Sequence, residues 1–450
     1  MGKLRKAGAI AVCKAVNAIG EKVGRGSSLP GSLALKVQPN ILSEVEMPGI
    51  VIAVSGSNGK TSTVEMIAHI LTENGYRVAW NRAGSNQTEG VATCVLSESS
   101  FGGKVKADVV LLESDERFAR HTFKYFHPDY YVITNLYRDQ MTRNGHPEWA
   151  HRVIKESIYD DIHLILNADD PQIADYGYGR DAGSVTWFGA DRLPEDSEEN
   201  TSRYNDGAYC PVCGAKMDYE YFHYNHVGKY KCTECDFHRP DTDVSISSAD
   251  YKDQSITING EYKVHMPFSN IAYCYNTLAA FTACEKVGVP PEKIIEAMQG
   301  FISHSKRVER FIVNGKEGYL LVSKHENSVA YDRAIDTAIA DERTSSVMVI
   351  VDEISRKYFT SETSWLWDID FEKLNAPNIK QIILAGLYCY DLETRFEVTD
   401  IQKDRLVVCE DLSEAARIMG ESDAETFYVM TCFVDQIKFR ALKEVETIEE

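Results

Sequence analysis

The sequence has no run of about 18 apolar residues, the length that a membrane-spanning helix requires, so no such helix is expected. It is also short of positive charge, because 48 Lys and Arg residues stand against 68 Asp and Glu residues and the formal charge is −20. Such a surface repels a phosphate backbone, which argues against sequence-independent nucleic-acid binding. The hydrophobic fraction of 44% and the charged fraction of 26% are ordinary for globular proteins and exclude a disordered or collagen-like chain.

The sequence also lacks a clear secretory signal. Residues 1–31 are mildly basic, but their apolar stretch is short, is broken by Lys14 and is followed by no A-x-A site, so we expect a cytoplasmic protein. The 11 cysteines form an odd number, and four of them lie in two tight pairs. This pattern favours metal ligation in a reducing compartment over a disulfide framework.

Hydrophobic periodicity divides the chain into three regions. Residues 1–45 have apolar positions at helical spacing and predict an N-terminal helical segment. Residues 46–305 alternate β-rich runs with helical patterns, which is typical of a doubly wound α/β domain with a mostly parallel sheet. A polar, tyrosine-rich insert at about 205–240 interrupts this domain. Residues 306–450 predict a smaller, Rossmann-like α/β domain, whose first strand we place at Tyr319 after a polar boundary segment.

A glycine-rich segment between a strand-like run and a helical run is the sharpest local motif. Its glycines allow backbone N–H groups to face an anion, and the helix N-terminus adds positive potential. We assign Lys60 to the β- and γ-phosphates of a nucleotide and the Thr61 hydroxyl to Mg²⁺. The two glycines are closer together than in the usual motif, and an ordinary βα turn is the alternative. The predicted nucleotide-binding residues are Gly56, Ser57, Asn58, Gly59, Lys60, Thr61 and Ser62.

Acidic residues follow a later strand-like run. The strand predicted at 108–112 leads into Glu113, Asp115 and Glu116. Because α/β sheets place their sites at the carboxyl ends of parallel strands, we assign Glu113 to Mg²⁺. A solvated acidic loop is the alternative, and the roles of Asp115 and Glu116 stay open.

Two C-x₂-C pairs lie in the polar insert. Their spacing predicts a tetrahedral zinc site with four thiolate ligands, although four unrelated cysteines are the alternative. A site closed by four thiolates has no position for water, so we expect a structural role for the zinc. The predicted ligands are Cys210, Cys213, Cys232 and Cys235.

Taken together, these segments resemble the Mur ligase family, and most closely its MurT-type branch. SGSNGKTST at 55–63 is similar to the P-loop of that family, and the four-cysteine insert is a trait of the MurT-type branch. Further similar stretches are NRAGSNQTEG at 81–90, TNLYRDQMTRNG at 134–145, LNADDP at 166–171 and SWLWDIDFE at 364–372.

The resemblance implies a ligase of peptidoglycan synthesis that uses ATP and Mg²⁺, with Lys60, Thr61 and Glu113 at the phosphates and metal. The implied reaction amidates the α-carboxylate of D-isoglutamate in the lipid II stem peptide through an acyl phosphate. Ammonia would come from a GatD-type glutaminase partner. The substrate is membrane-anchored, so we also expect a peripheral position at the inner membrane face, which the basic N-terminal helix would favour.

The resemblance also assigns residues beyond the P-loop. Asn276, expected near adenine, and Arg307, expected at the domain junction, are both assigned to nucleotide binding. Asp352 is, by position, the residue expected to complete the Cys–His pair of the glutaminase. Other residues depart from the family pattern, around Lys324 and Tyr388 among others. The departures leave three possibilities: a working MurT-type subunit, a Mur-type paralogue that acts on another carboxylate, and a nucleotide-binding scaffold for a glutaminase.

Overall fold

The computed structural model describes residues 2–22, 27–82, 85–303, 308–324, 326–353 and 362–448. The chain forms two compact units. The first unit comprises Met1–Tyr137, Pro147–Thr201 and Asn205–Ser303. The second comprises Arg138–His146, Ser202–Tyr204 and His304–Glu450, so it includes two short segments from earlier in the chain.

Strands and helices alternate along most of the first unit. Its strands are β1 (Ile50–Ser55), β2 (Val78–Trp80), β3 (Val109–Glu113), β4 (Tyr130–Ile133), β5 (His163–Asn167), β6 (Val185–Ala190), β7 (Met217–Tyr224), β8 (Val227–Cys232), β9 (Val244–Asp250), β10 (Ser255–Ile258) and β11 (Tyr262–His265). Its helices are α1 (Gly2–Lys22), α2 (Leu29–Val37), α3 (Ile41–Glu44), α4 (Lys60–Glu73), α5 (Thr88–Ser97), α6 (Ala119–Thr122), α8 (Pro147–Lys155), α9 (Pro171–Ala174), α10 (Ile271–Val287) and α11 (Pro291–Gln299).

Nine strands form the central sheet of the first unit, in the order β11-β10-β9-β6-β5-β4-β1-β3-β2. The neighbours from β2 to β9 pair in parallel, and β10 and β11 extend the sheet in antiparallel fashion. Strand β3 is buried along its whole length, as expected for a parallel strand covered on both faces. This sheet confirms the predicted doubly wound α/β architecture. After β1 the chain forms β2 and β3 on one side of β1, and it later forms β4 on the other side. The carboxyl end of β1 therefore lies at a topological switch point.

Helices α1 and α2 lie in the region where the sequence predicts an N-terminal helical segment. The apolar face of α1 buries Ala9, Ile10 and Cys13 in one cluster with residues of α2 and α5. Helical spacing brings these three side chains to the same side of α1, and burial of that face attaches the helix to the unit. Among the described residues, no helix has both the length and the apolar character to cross a membrane.

The polar insert contains a separate two-stranded antiparallel sheet, formed by β7 and β8. A tight turn joins the two strands, and Asn225 in this turn has a positive φ of 47°. Asparagine tolerates this left-handed conformation better than most residues.

The second unit is also built on a mostly parallel sheet, in the order β16-β15-β14-β17-β13-β12-β18. Its strands are β12 (Val308–Val313), β13 (Lys316–Ser323), β14 (Ser345–Ile350), β15 (Ile379–Ala385), β16 (Leu406–Cys409), β17 (Thr426–Cys432) and β18 (Val445–Thr447). Its helices are α7 (Met141–Asn144), α12 (Ser328–Ile339), α13 (Cys389–Phe396), α14 (Leu412–Glu421) and α15 (Asp435–Arg440). The predicted second α/β domain is therefore confirmed.

The start of the second sheet differs from the prediction, which placed its first strand at Tyr319. Strand β12 already lies in the polar segment, and β13 begins at Lys316. Residues of β12 alternate between the solvent and the core near its end, which explains the polar composition. The turn between the strands is Asn314-Gly315, both with positive φ, and this dipeptide is a strong hairpin signal that the prediction overlooked.

Candidate nucleotide site and metal centre

The glycine-rich segment 56–61, here called the P-loop, connects β1 to α4 and has no space for side chains at its two glycines. Gly56 has a φ of +128°, and a Cβ there would lie 2.3 Å from Thr134 Oγ1. Gly59 has a φ of +83°, and a Cβ there would lie 2.0 Å from Asn276 Oδ1. The loop backbone is therefore enclosed between the end of β4 and helix α10, and only glycine fits both positions.

The end of β4 fixes the first half of the P-loop through hydrogen bonds. The backbone N–H of Ser57 donates to the carbonyl of Asn135 at 2.9 Å, and the N–H of Asn58 donates to Asn135 Oδ1 at 2.8 Å. Thr134 Oγ1 donates to the carbonyl of Asn58 at 2.9 Å. The N–H groups of the first turn of α4 then follow, and a helix leaves such groups without intrahelical partners. The arrangement suits an anion at the N-terminus of this 14-residue helix.

Lys60 is buried at the start of α4 with its ammonium group beside the loop. Its Nζ forms an ion pair with Glu116 Oε1 at 2.6 Å and also donates to the carbonyl of Gly56. Both side chains are almost inaccessible to solvent. A positive charge therefore stands where the P-loop curls, as the neutralisation of phosphate charge requires. Glu116, whose role the sequence left open, is the acidic partner of this lysine.

Thr61 and Glu113 bring two oxygen ligands together. Thr61 Oγ1 donates to Glu113 Oε2 at 2.8 Å, and Asn86 Nδ2 donates to the other carboxylate oxygen at 3.0 Å. Asn81 exchanges two hydrogen bonds of 2.8 Å with the backbone of Glu113 and so holds the end of β3. Hydroxyl and carboxylate oxygens are ligands that Mg²⁺ prefers, so this pair fits the predicted magnesium site.

The remaining predicted nucleotide-binding residues are Asn276, Ser62 and Arg307. Asn276 is buried and its amide stands beside Gly59, so it contacts the phosphate-binding loop itself. Ser62 lies in the first turn of α4, where its hydroxyl is 3.3 Å from the hydroxyl of Tyr273. Arg307, which was predicted to bind the cofactor, lies outside the described residues.

The four predicted zinc ligands converge at the open end of the β7–β8 hairpin. Their sulfur atoms all lie within 4.8 Å of one another, with 3.7 Å between Cys210 and Cys235 and 3.4 Å between Cys213 and Cys232. Zinc–sulfur bonds of about 2.3 Å place the thiolates of a tetrahedral site about 3.8 Å apart. The sulfur of Cys232 accepts backbone N–H groups from Glu234 and Cys235, each at 3.4 Å. The cluster therefore fits a structural zinc ion that has thiolate ligands alone.

Asp352 follows β14 at the carboxyl edge of the second sheet. Its carboxylate accepts the N–H of Leu387 at 2.8 Å and pairs with the ammonium of Lys438. Gly386 permits the close approach, since a Cβ there would lie 2.8 Å from the carbonyl of Val351. Residues from the ends of three strands thus assemble one corner, here called the Asp352 corner: Asp352, Glu353, Leu387, Asp435 and Lys438.

Asp435 holds the backbone of the Asp352 corner through its side-chain carboxylate. Its carboxylate accepts the backbone N–H of Asp352 at 2.9 Å and that of Glu353 at 3.0 Å. Burial raises the pKa of Asp435 to about 6, although these hydrogen bonds oppose the rise. Neither Asp435 nor Lys438 was singled out from the sequence. They lie far along the chain from Asp352, and no local motif joins them.

Two segments of the chain match family models. Residues 54–233 match the Mur ligase middle domain. Residues 325–434 match the MurT ligase C-terminal domain. The matches cover the P-loop, three of the four cysteines and the Asp352 corner apart from its last two residues.

The relatives and the solved structures that resemble the chain agree with these models. The MurT subunit of lipid II isoglutaminyl synthase (glutamine-hydrolyzing) from Staphylococcus aureus strain COL is 30% identical over 392 residues, which is 86% of each chain. The subunit of the same name from Streptococcus pneumoniae R6 is 28% identical over 94% of this chain and 93% of its own.

A pseudomurein peptide ligase type C from Methanothermus fervidus has a TM-score of 0.68 at 23% identity and covers 89% of this chain and 79% of its own. MurF from Acinetobacter baumannii has a TM-score of 0.62 at 16% identity and covers 91% of this chain and 79% of its own. These two structures show the shared fold, and the identity to the staphylococcal protein decides the branch. The chain belongs to the MurT family of Mur ligases.

Proposed function

We propose that this protein is the ATP-dependent subunit of an amidotransferase that converts the D-isoglutamate α-carboxylate of the lipid II stem peptide into an amide. The relatives named above are called glutamine-hydrolyzing lipid II isoglutaminyl synthase subunits, which supports this reaction class. The observation that carries the proposal is the P-loop with buried Lys60 beside the Thr61–Glu113 oxygen pair, because this arrangement suits a triphosphate and its metal ion.

The reaction has two balanced steps. An oxygen of the acceptor carboxylate attacks the γ-phosphorus of ATP, the bond to the β-phosphate oxygen breaks, and ADP leaves an acyl phosphate behind. The nitrogen of ammonia then attacks the acyl carbon, inorganic phosphate leaves, and a proton is lost to give the amide. Phosphorylation is needed because a free carboxylate is a poor electrophile.

The chain's own residues would hold the reactants and stabilise charge. The backbone N–H groups at the start of α4 and the ammonium of Lys60 would bind the β- and γ-phosphates, where negative charge develops. Thr61 and Glu113 would hold Mg²⁺, which neutralises charge on the transferring phosphoryl group. Asn276 would border the nucleotide from α10. Positioning and electrostatics account for most of the catalysis in phosphoryl transfer.

A GatD-type glutaminase is the proposed ammonia source, and the Asp352 corner is its proposed docking site. Asp352 would orient the partner's catalytic histidine, as the carboxylate of a catalytic triad does. Exposed apolar side chains lie at both partners of Asp352. Leu387, which donates its N–H to Asp352, is 57% exposed, and Ile437, next to Lys438 in the chain, is 53% exposed. Exposed apolar side chains that lie close together are typical of a surface that binds another protein.

Peripheral attachment to the inner membrane face is proposed from the N-terminal helix. Residues 2–20 contain four basic side chains and no acidic one, in a chain whose net charge is −20. The side chain of Lys6 packs against Gly103 and donates to the carbonyl of Glu44, while Leu4 on the same helix and Phe101 near Gly103 are both exposed. A basic surface with apolar tips suits an anionic bilayer.

Co-sedimentation with vesicles tests this attachment. Phosphatidylglycerol vesicles should retain the wild-type protein, and the double variant Lys3→Glu/Arg5→Glu should lose binding. The surface variant Lys293→Glu is the matched control. Equal retention of wild type and double variant, or equal binding to neutral vesicles, would contradict the attachment.

Reconstitution tests the proposed reaction. The protein and a GatD-type glutaminase are incubated with ATP, Mg²⁺, glutamine and a lipid-linked muropeptide, and the muropeptide is analysed by mass spectrometry. The expected product carries an amide in place of the D-isoglutamate α-carboxylate. Turnover that needs no glutaminase and no ammonia, or an unchanged muropeptide, would contradict the proposal.

A further inference from the structure

The turn that closes the β7–β8 hairpin lies at the opposite end of the hairpin from the four cysteines. It packs beside Tyr137, which contacts the P-loop. The last residue of β7, Tyr224, receives a hydrogen bond of 2.6 Å from the hydroxyl of Tyr137. Both side chains are buried, and the ring of His226, in the turn, lies 5.3 Å from the ring of Tyr137. The tip of the insert is therefore packed against the rest of the first unit.

Tyr137 joins this tip to the P-loop. Its backbone N–H donates to Ser57 Oγ at 2.9 Å, and Ser57 Oγ donates to the Tyr137 carbonyl at 3.1 Å. The same residue thus binds the P-loop serine with its backbone and Tyr224 with its side chain. A movement of the tip would be transmitted to Ser57 through one residue.

A second contact leads from Tyr224 to the other side of the P-loop. The ring of Tyr224 meets the ring of Tyr275 at 5.8 Å, edge to face. Tyr275 precedes Asn276 on α10, and Asn276 is the residue against Gly59. The hydroxyl of Tyr275 donates to Asp169 Oδ2 at 2.6 Å, and burial holds its pKa well above the usual value, so the hydroxyl keeps its proton. Tyr224 is therefore connected to both sides of the P-loop. It reaches Ser57 through Tyr137 and Gly59 through Tyr275 and its neighbour Asn276.

The hairpin needs a fixed base for this contact to be rigid. An isolated two-stranded hairpin is marginally stable in water. Here the four cysteines converge at the open end, while the carbonyl of Asp169 accepts the N–H of Gly228 at 2.9 Å near the tip. A metal at the cysteines would stiffen the hairpin that carries Tyr224.

We propose that Tyr224 is a positioning residue of the nucleotide site, through which the metal-bound insert holds Ser57 and α10 at the spacing that the phosphates require. The proposal rests on the proposed function, because it presumes that the P-loop binds ATP. It assigns the four-cysteine insert a role in substrate binding in addition to stability. Tyr224 itself touches no reactant.

Nucleotide affinity in the full chain tests the proposal. Binding of a non-hydrolysable ATP analogue with Mg²⁺ is measured by calorimetry for the wild type, Tyr224→Phe, Tyr137→Phe and the double variant. Losing one buried hydrogen bond should raise the dissociation constant about three- to tenfold in each single variant. The double variant should bind no more weakly than the weaker single variant, because both substitutions remove the same contact.

A matched control and two readouts separate positioning from folding. Tyr221→Phe alters another buried tyrosine of the same strand, and it should bind the analogue as the wild type does. Tyr224→Phe should keep its zinc content, and its KM for ATP should rise while kcat at saturating ATP and KM for the muropeptide stay near the wild-type values. A purely structural role would instead lower zinc content or change all kinetic constants together.

Three results would overturn the inference. They are wild-type affinity in Tyr224→Phe, an equal loss in Tyr221→Phe, and additive losses in the double variant. A wild-type protein that binds no nucleotide would overturn the proposed function as well. Normal wild-type binding with an unaffected Tyr224→Phe would overturn the positioning role alone.

Discussion

The P-loop and the Asp352 corner occupy the same kind of position, the carboxyl ends of parallel strands, but they are assembled differently. The P-loop residues are consecutive, and the end of β4 and helix α10 enclose their backbone. The Asp352 corner takes one or two residues from each of three strand ends and fixes them through side chains. In both, a carboxylate pairs with a lysine, Glu116 with Lys60 and Asp352 with Lys438. The comparison suggests two separable tasks, ATP chemistry at the first and ammonia supply at the second.

Loss of the P-loop lysine should have the largest effect. Lys60→Ala removes the buried positive charge and should lower ATP turnover by about a thousandfold with either glutamine or ammonia, because the charge acts on the transferring phosphoryl group. ADP release is the measurement. Lys293→Ala, which removes an exposed lysine from a surface pair, is the control. Comparable turnover in the two variants would contradict the assignment.

Loss of the Asp352 carboxylate should separate the two tasks. Asp352→Asn should reduce glutamine-driven amidation at least about a hundredfold, since the partner's histidine loses its orienting charge. Amidation driven by ammonium chloride should stay near the wild-type rate. If both nitrogen sources fail equally, the corner serves the ATP reaction too and the division of tasks is wrong.

Loss of the Glu113 charge should have a smaller effect, limited to the magnesium requirement of turnover. Glu113→Gln keeps the shape of the side chain but removes its charge, and it should raise the Mg²⁺ concentration for half-maximal turnover about tenfold. A magnesium titration of ADP release measures this. An unchanged magnesium requirement would exclude Glu113 as a ligand.

Removal of the cysteine cluster should act on stability and metal content. Wild-type protein should contain about one zinc per chain, and Cys210→Ser/Cys213→Ser should lose it and melt at a lower temperature. Metal analysis and thermal unfolding measure the two effects. Cys284→Ser, at a buried cysteine outside the cluster, should keep the zinc. A wild-type protein that is folded and free of metal would refute the zinc site.

Much of the first site could be predicted from the sequence, because its chemistry lies in local motifs. The P-loop and its oxygen pair follow directly from β1 and β3, and the cysteine spacing identified a cluster that the structure brings together. The contacts of Asp435 and Lys438 with Asp352 could not be predicted, since they depend on the order of strands in the sheet. The same is true of Tyr137 and Tyr224, which meet only after the insert has folded against the rest of the first unit.

The smallest expected effect is a pH dependence at the Asp352 corner. Burial raises the folded-state pKa of Asp435 from 3.8 to about 6. The folded state therefore binds this proton more tightly than the unfolded state, and the resulting stability, full below the unfolded pKa, is lost as pH rises through about 6. Between about pH 5 and pH 7.5, the wild type should lose about 1 kcal/mol of unfolding free energy relative to Asp435→Asn. Denaturant titrations of both proteins measure it, and parallel pH profiles would contradict it.

The stoichiometry of one reaction tests the central claim most directly. With ammonium chloride, Mg²⁺, ATP and a lipid-linked muropeptide, the protein should release ADP and form amidated muropeptide in equal amounts, and it should release little ADP when the muropeptide is left out. ADP release that is independent of the muropeptide, or the absence of any ADP release, would contradict a P-loop that activates a carboxylate.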